Sequence, residues 1–174
     1  MAPTWLVPLL LTCAPQVHSS TALALLRTES SFNPWAIGVV GGALQHQPRN
    51  AAEALATARA LHAAGWNFSV GLGQINVRNL PRLGLSLDTA FEPCRNLAAM
   101  QTVLLECFGK ATVRDAGSPS LASTQQALQR SLSCYYSSNF STGFQHGYVH
   151  RVRTAIRALP ATSPVPPFFP KEPS

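Results

Sequence analysis

The chain has 174 residues, of which 46% are hydrophobic and only 11% are charged. This length suits one domain with a substantial core, and the composition excludes a disordered chain. The formal net charge of +6 serves solubility first and attraction to an anionic polymer second. Because no Lys- and Arg-rich run interleaves with aromatic residues, we expect no nucleic-acid partner.

The N-terminal segment 5–11 (WLVPLLL) is apolar, as is the hydrophobic part of a signal peptide. However, no Lys or Arg precedes Arg27, and the apolar run is too short to cross a bilayer. We therefore expect this segment to begin the folded domain. The sequence predicts no transmembrane segment and leaves the route of export open.

The first clear helix covers residues 21–30 (TALALLRTES), where apolar residues and Glu29 recur at the i, i+3, i+4, i+7 spacing of one helix face. Pro34 disfavours helical geometry in Asn33 and should stop the helix. Glu29 then lies in or just after the last turn. Since the helix dipole disfavours negative charge at that end, we expect the pKa of its carboxyl group to be raised.

A second helix is predicted between Asn50, a suitable N-cap with Glu53 at the third helical position, and Gly65, which can end the helix in left-handed geometry. Its expected apolar stripe consists of Ala51, Leu55, Ala58 and Leu61. Residues 69–80 (SVGLGQINVRNL) combine two glycines with alternating apolar residues. This pattern predicts a tight loop or a short β-like segment.

Three further helices are predicted over residues 96–111, 119–135 and 148–159. Asn96 opens the first of them and is expected to be a cap first and a ligand second, while Ser118 caps the next. From Pro160 onwards the chain carries six of its fourteen prolines and cannot be helical. We therefore expect one folded domain over residues 1–159 and a flexible or polyproline-like tail over residues 160–174.

Three segments stand out by their polar and glycine content: residues 29–34 (ESSFNP), 71–76 (GLGQIN) and 133–140 (SCYYSSNF). In this order they resemble the soluble lytic transglycosylases of the goose-lysozyme superfamily. That superfamily has an ESxFNP catalytic motif, a G-L-x-Q-I-N motif and a C-terminal motif around a tyrosine. One difference is that the superfamily commonly has Asn after the motif tyrosine, where this chain has Tyr136.

The resemblance is closer to the specialised lytic transglycosylases of type IV secretion systems, and it covers roughly residues 12–158, supported further by segments 13–42, 81–97 and 132–144. It implies an all-α or α-dominated, lysozyme-like fold, with a substrate cleft between the helix of Glu29 and the 71–76 loop. It also implies a periplasmic enzyme that opens the wall for a secretion apparatus. Its partners would be peptidoglycan glycan strands and secretion-system subunits, with no cofactor and no metal.

The resemblance further implies that Glu29 alone cleaves the β-1,4 bond from MurNAc to GlcNAc. The carboxylic acid protonates the leaving oxygen, and the MurNAc 2-acetamido group assists departure. The same glutamate then removes the proton of the sugar's 6-hydroxyl, so that a 1,6-anhydro ring closes without water. Ordinary glycosidases need a second carboxylate, whereas this chain contains only seven acids, which fits a one-carboxylate mechanism.

By the same resemblance, seven further residues are expected to bind substrate: Ser30, Ser31, Gly71, Gly73, Gln74, Asn76 and Tyr135. The glycines would leave room for a sugar, and the amides would bind hydroxyl and N-acetyl groups. The tyrosine would place its hydroxyl near the carboxylate or its ring under a sugar. Plainer alternatives stay open: turn bonds for the serines, a plain turn for the glycines, loop stabilisation for the amides and burial for the tyrosine.

Two other functions stay open beside the lytic transglycosylase. A muramidase-type hydrolase of the same fold needs a base to activate water, and Asp88 and Glu92 are the extra acids in the middle of the chain. A wall-binding factor for secretion-system assembly needs no catalysis, and the presence of Glu29 disfavours it.

The four cysteines form no CxxC pair, and no His lies at zinc-finger spacing, so we expect no structural zinc site. They are either buried free thiols or two disulfides, and an oxidising periplasm favours disulfides. An antiparallel arrangement of the third and fourth predicted helices brings Cys94 beside Cys134. Cys13 and Cys107 then both lie away from the cleft, and we expect them to pair with each other.

Overall fold

The computed structural model describes residues 2–113 and 120–159. Its helices and strands, in chain order, are α1 Leu6–Cys13, α2 Ser19–Ser30, β1 Ile37–Val39, α3 Ala51–Ala63, β2 Phe68–Val70, β3 Ile75–Asn76, α4 Leu87–Ala90, α5 Pro93–Val113, α6 Leu121–Ser137, α7 Thr142–Gln145 and α8 Tyr148–Arg157. Two short 3-10 helices follow β3, at Val77–Asn79 and Pro81–Leu83. Because helices dominate the described ranges and the strands are short, the expected α-dominated class is confirmed.

The chain forms two compact units. The first consists of Met1–Pro15 and Leu26–Met100 and contains α1, α3, α4 and the three strands. The second consists of Gln16–Leu25 and Gln101–Ser174 and contains α6, α7 and α8. Helices α2 and α5 contribute residues to both. The expected tail lies outside the described residues, so the boundary between residues 159 and 160 stays a prediction.

The apolar N-terminal segment forms α1 and is packed into the first unit. Leu6 and Leu10 are fully buried, and Cys13 is buried as well. Pro8 lies in the first turn, where its missing N–H removes no helical hydrogen bond. The expectation that this segment belongs to the folded domain is therefore confirmed. Within residues 2–113 and 120–159, no helix has the length and hydropathy needed to cross a membrane.

The three strands form an antiparallel sheet in the order β1-β2-β3. Its register places Ile37 opposite Val70 and Val70 opposite Ile75, and all three side chains are buried. Since successive side chains of a strand point to opposite faces, these residues direct one face of the sheet into the core of the first unit. The predicted loop or β-like segment is thus a hairpin, with residues 71–74 between its strands.

The N-terminus of α3 has the predicted cap. The Asn50 side chain accepts a hydrogen bond from the Glu53 backbone N–H at 2.9 Å, and Gly65 follows the helix with φ +76°. Glu53 also accepts from the backbone N–H of Arg49 at 3.0 Å and from its guanidinium at 3.1 Å. These bonds, the backbone one foremost, hold the pKa of the Glu53 carboxyl below its usual range.

The predicted apolar stripe of α3 is partly wrong. Ala51 is exposed, Leu55 and Leu61 are half-buried, and the fully buried positions are Ala54 and Ala58. Ala51 lies in the first turn, at the end of the helix. The spacing of apolar residues indicates the direction of a helix face, but it does not tell how far other segments cover that face.

In the second unit, α6 begins after Ser120, whose side chain accepts a hydrogen bond from the Ser123 backbone N–H at 3.0 Å. The Ser123 hydroxyl lies 2.9 Å from the Ser120 backbone N–H, which completes a capping box. The predicted cap, Ser118, lies outside the described residues. The helix continues past Tyr135 and ends before Ser138, which has left-handed geometry with φ 60°.

The structure overturns the predicted disulfide pairing. Cys13 is bonded to Cys94, with Cα atoms 5.2 Å apart, and Cys107 is bonded to Cys134, with Cα atoms 5.7 Å apart. The predicted Cys94–Cys134 and Cys13–Cys107 bonds are therefore wrong. The prediction assumed a simple antiparallel hairpin, in which Cys134 lies opposite the start of α5. Instead, Cys134 meets α5 about four turns beyond its start, and Cys94 meets the last residue of α1.

Candidate active site

Glu29 lies in the last turn of α2 and is half-buried. The helix ends one residue later because Ser31 and Phe32 both have left-handed backbone geometry, with φ of 53° and 67°. The backbone N–H of Phe32 still reaches the Leu26 carbonyl at 3.4 Å, which closes the turn. Left-handed geometry costs about 1–3 kcal/mol at a non-glycine residue and is typical of functional sites. The chain therefore reverses sharply, and at an energetic cost, directly after the glutamate.

The hydroxyl of Ser30 is committed to the helix. It donates to the Leu26 carbonyl at 3.1 Å, and the residue is buried. Ser31 is exposed, and its backbone N–H donates to the Arg27 carbonyl at 3.2 Å. The local bond foreseen as an alternative for the serines is thus present at Ser30, while a contact of either serine with substrate stays a prediction.

The loop between β2 and β3 is fixed to the segment that follows Glu29. The backbone N–H of Gly71 donates to the Ala36 carbonyl at 2.9 Å. The side-chain amide of Gln74 donates to the same carbonyl at 3.1 Å and to the Gly71 carbonyl at 2.9 Å. Gln74 itself has left-handed geometry, with φ 50°. Two hydrogen bonds to one carbonyl therefore hold the loop against the turn behind the glutamate.

Asn96 supports the same loop from the other end of the first unit's chain. It is fully buried, and its Oδ1 accepts from the Gly73 N–H at 2.7 Å. Its Nδ2 donates to the carbonyls of Val70 at 3.0 Å and Ala90 at 2.8 Å. The reading of Asn96 as a helix cap is wrong, because α5 already begins at Pro93 and all three bonds of this side chain lead outside α5.

Two glycines make room for these amide side chains. A Cβ on Gly71, where φ is +78°, would lie 2.8 Å from Cγ of Asn96 and 3.2 Å from the Ala90 carbonyl oxygen. A Cβ on Gly38 would lie 2.6 Å from Oε1 of Gln74. At Gly71 the place of the absent side chain is therefore occupied by Asn96. A contact of the Gly71 or Gly73 backbone with a sugar stays a prediction.

Both ends of the Asn76 carboxamide are used inside the protein. Its Oδ1 accepts from the Arg78 N–H at 3.0 Å and caps the following 3-10 helix. Its Nδ2 donates to Oδ1 of Asn67 at 2.9 Å. These bonds are the loop-stabilising role that the sequence left open for this residue. They do not test whether Asn76 also contacts substrate.

The third motif lies in the second unit, near the end of α6, where Tyr135 is half-buried. Two residues earlier, Ser133 is fully buried; its hydroxyl donates to the Asn139 carbonyl at 2.9 Å and accepts from the Gly143 N–H at 2.9 Å. A Cβ on Gly143 would lie 2.6 Å from Cα of Ser133. Ser133 therefore fixes the segment that follows α6, a role that the sequence did not reveal.

The structure thus brings the first two motifs together within the first unit, with Ala36 as the shared contact, and places Tyr135 in the second. In the part of the chain that the structure describes, no group of three or more His, Cys, Asp or Glu is arranged to hold a metal ion. The donors around the loop are carboxamides and backbone amides, which suit sugar hydroxyl and N-acetyl groups.

An α-dominated domain with one glutamate at a helix end, beside a hairpin loop held by amide side chains, is a lysozyme-like domain. Residues 10–123 match the Transglycosylase SLT domain, and the chain belongs to this family. No solved structure shows a significant match.

Curated relatives are named as secretion proteins. The chain is 46% identical over 128 residues to the type IV secretion system protein virB1 of Brucella abortus biovar 1 (strain 9-941), an alignment that covers 74% of this chain and 52% of the relative. It is 37% identical over 149 residues to protein virB1 of Rhizobium radiobacter, covering 84% of this chain and 59% of the relative. For protein virB1 of Agrobacterium fabrum the identity is 36% over 158 residues, covering 90% and 59%. The chain therefore spans about half the length of the curated relatives it matches.

Proposed function

We propose that this chain is a lytic transglycosylase that cleaves the β-1,4 bond between MurNAc and GlcNAc in peptidoglycan, with Glu29 as its single acid and base. The observation that carries the proposal is the placement of Glu29 at a sharp chain reversal, which the 71–76 loop braces through the Ala36 carbonyl. The SLT family match includes both segments.

In the proposed reaction, the Glu29 carboxylic acid gives its proton to the glycosidic oxygen, and the bond from that oxygen to the MurNAc C1 breaks. The resulting carboxylate takes the proton of the MurNAc 6-hydroxyl while the 6-oxygen bonds to C1. The glutamate is protonated again at the end, so no second carboxylate and no water are consumed. One half-buried acid can therefore serve both steps.

A muramidase-type hydrolase is less well supported. Of the two acids proposed as its base, Asp88 is paired with Arg59 at 2.5 Å and Glu92 with Arg95 at 2.7 Å. More than half of the side-chain surface of each acid is exposed in these ion pairs. Such carboxylates are solvated and engaged with arginines, whereas a base for water needs to be held over the reacting carbon. The wall-binding factor without catalysis differs from the proposal in having no use for Glu29.

The proposal includes the periplasm as the place of action and the opening of the wall for a type IV secretion apparatus. All four cysteines are in disulfides, which persist in oxidising compartments. The relatives with the highest identities quoted above carry the name of a type IV secretion system protein. Peptidoglycan strands and secretion-system subunits are then the partners.

The product of digestion tests the reaction directly. When purified peptidoglycan is digested in ¹⁸O-water, we expect 1,6-anhydro-MurNAc ends without label, because the ring closes on the sugar's own hydroxyl. Mass spectrometry of the released muropeptides measures both properties. Reducing ends that carry ¹⁸O in most products would replace this proposal by the hydrolase, and no release at all would favour the binding factor.

A further inference from the structure

An exposed aromatic ring lies on the second unit at the end of α6. The Tyr136 ring stacks on the Tyr148 ring, with centroids 4.6 Å apart and an angle of 19° between the planes. Tyr148 is almost completely buried, whereas Tyr136 is 42% exposed. Since Tyr148 covers one face of Tyr136, the exposed surface of Tyr136 consists of its other face and its edge. The chain has this ring at the position where the lytic transglycosylase superfamily commonly has Asn.

Neighbouring groups hold the stacked pair in place. The His146 ring packs edge-on against Tyr136, with centroids 5.9 Å apart, and its Nδ1 lies 3.3 Å from the Tyr136 hydroxyl oxygen. Arg151 on α8 donates from its guanidinium to the His146 carbonyl at 3.0 Å. The same guanidinium lies 5.8 Å from the Tyr148 ring centroid. An exposed cation is thus kept close to an exposed aromatic ring, with part of its ordering entropy already lost.

The charge around this cluster is strongly one-sided. The described residues of the second unit contain five Lys and Arg (Lys110, Arg130, Arg151, Arg153 and Arg157) against one acid, Glu106, a net charge of +4. From residue 116 to residue 171 the sequence contains no Asp or Glu at all. A ligand at this surface therefore meets cations that no acid of the same helices neutralises, and it gains by carrying negative charge.

We propose that Tyr136 and Arg151 form a binding site for a stem-peptide-bearing sugar of peptidoglycan. The open Tyr136 face packs against the apolar face of a sugar ring, and the Arg151 guanidinium binds a carboxylate of the attached peptide. The inference rests on peptidoglycan being the substrate and adds that this surface recognises strands that still carry peptides. A single ring beside a single fixed guanidinium suits one sugar with one carboxylate better than a nucleic acid, whose phosphates need a row of cations.

The test compares binding of the whole chain to intact sacculi and to sacculi stripped of stem peptides by an amidase. Arg151→Gln removes the charge, and we expect about tenfold weaker binding to intact sacculi. Neither this variant nor the wild type should then gain from the peptides, so both bind stripped sacculi equally. Tyr136→Ala should weaken binding to both materials, and Tyr136→Phe, which keeps the ring, should restore it. Arg153→Gln, the same change two residues along α8, should bind like the wild type.

Equal binding of Arg151→Gln and Arg153→Gln to intact sacculi would overturn the inference, and so would a wild type indifferent to stem peptides. Loss of single-stranded oligonucleotide binding in Arg151→Gln, with sacculus binding unchanged, would replace the proposed ligand by a nucleic acid. Melting curves of the Tyr136→Phe and Arg151→Gln variants check that the fold is kept. The enzymatic proposal is tested separately by muropeptide release from wild type, which can succeed while this site fails.

Discussion

Glu29 is the only acid among the first 52 residues, and it occupies the last turn of α2. Replacement by glutamine preserves the size of the side chain and most of its hydrogen bonding, but the amide cannot donate the catalytic proton. We therefore expect Glu29→Gln to slow muropeptide release by at least about 10²-fold while sacculus binding and melting temperature stay close to those of the wild type. Release is measured by chromatography, and binding by co-sedimentation.

Glu92→Gln is the matched control, because it makes the same chemical change in an exposed ion pair with Arg95. Exposed pairs contribute roughly 0–1 kcal/mol, so stability and release should be nearly unchanged. Near-normal release by Glu29→Gln would remove the proposed catalytic acid. Loss of release only in Glu92→Gln would point to the hydrolase mechanism instead.

The sequence placed Glu29 at the end of a helix correctly, because apolar spacing and Pro34 are local features that act on the helix directly. It did not predict the left-handed Ser31 and Phe32, since neither residue type prefers that geometry. It also misread Asn96, because an Asn at the start of a helical pattern is usually a cap. Its actual partners lie up to 26 residues away in the sequence, where no local pattern reports them.

Among the secondary-structure elements, the β2–β3 hairpin depends on α5, because the first turn of that helix carries the side chain that holds the loop. Asn96→Ala would leave the Gly73 N–H and the carbonyls of Val70 and Ala90 without their present partner. We expect a loss of about 3 kcal/mol in the free energy of unfolding, because buried polar groups are costly when unsatisfied. The rate of muropeptide release should fall as well, under conditions in which the variant remains folded.

Asn79→Ala serves as control for this change. Asn79 accepts a hydrogen bond from Nε of Arg82 at an exposed position, 3.2 Å away, and its loss should cost less than about 1 kcal/mol. Urea unfolding compares the two variants. A free energy of unfolding that falls equally in both would show that Asn96 does not support the loop as described.

Helices and strands themselves were predictable where capping and periodicity are strong, as at Asn50 and Gly65 around α3. The way helices cross was not. The predicted cysteine pairing failed for this reason: a short connection suggests neighbouring antiparallel helices, but it does not set the position along α5 that α6 meets. That position depends on side-chain packing between distant segments.

For the molecule as a whole, the disulfides close loops with sequence separations of 81 and 27 residues. By loop-closure entropy, removing the pair Cys13 and Cys94 should lower the free energy of unfolding by about 4.5 kcal/mol, and removing Cys107 and Cys134 by about 3.5 kcal/mol. Paired Cys→Ala variants, unfolded in urea without reductant, measure both values. The longer loop should give the larger loss.

Peptide mapping without reduction provides the independent check on this connectivity. We expect one peptide that joins Cys13 to Cys94 and another that joins Cys107 to Cys134. A peptide that joins Cys94 to Cys134 would contradict the structure. Stability losses without regard to loop length would leave the connectivity intact and reject the entropic explanation alone.

The α-dominated, lysozyme-like class could be predicted from the sequence because helical periodicity and three motifs agreed over most of the chain. The two compact units could not, because their limits fall inside α2 and α5, where the sequence shows no change in composition. Burial at each position of a helix depends on which other segment faces it, and this is a property of the complete fold.

The two disulfides join the cysteines in the order in which they occur along the chain, first with second and third with fourth. A chain exported from its N-terminus exposes Cys13 and Cys94 to the oxidising side before Cys107 and Cys134. An oxidase that joins thiols as they emerge therefore makes only native bonds, provided that each bond forms before the next thiol arrives. Disulfide shuffling is slow, on the order of seconds to hours, so this consecutive pattern lets the protein mature during export without an isomerase.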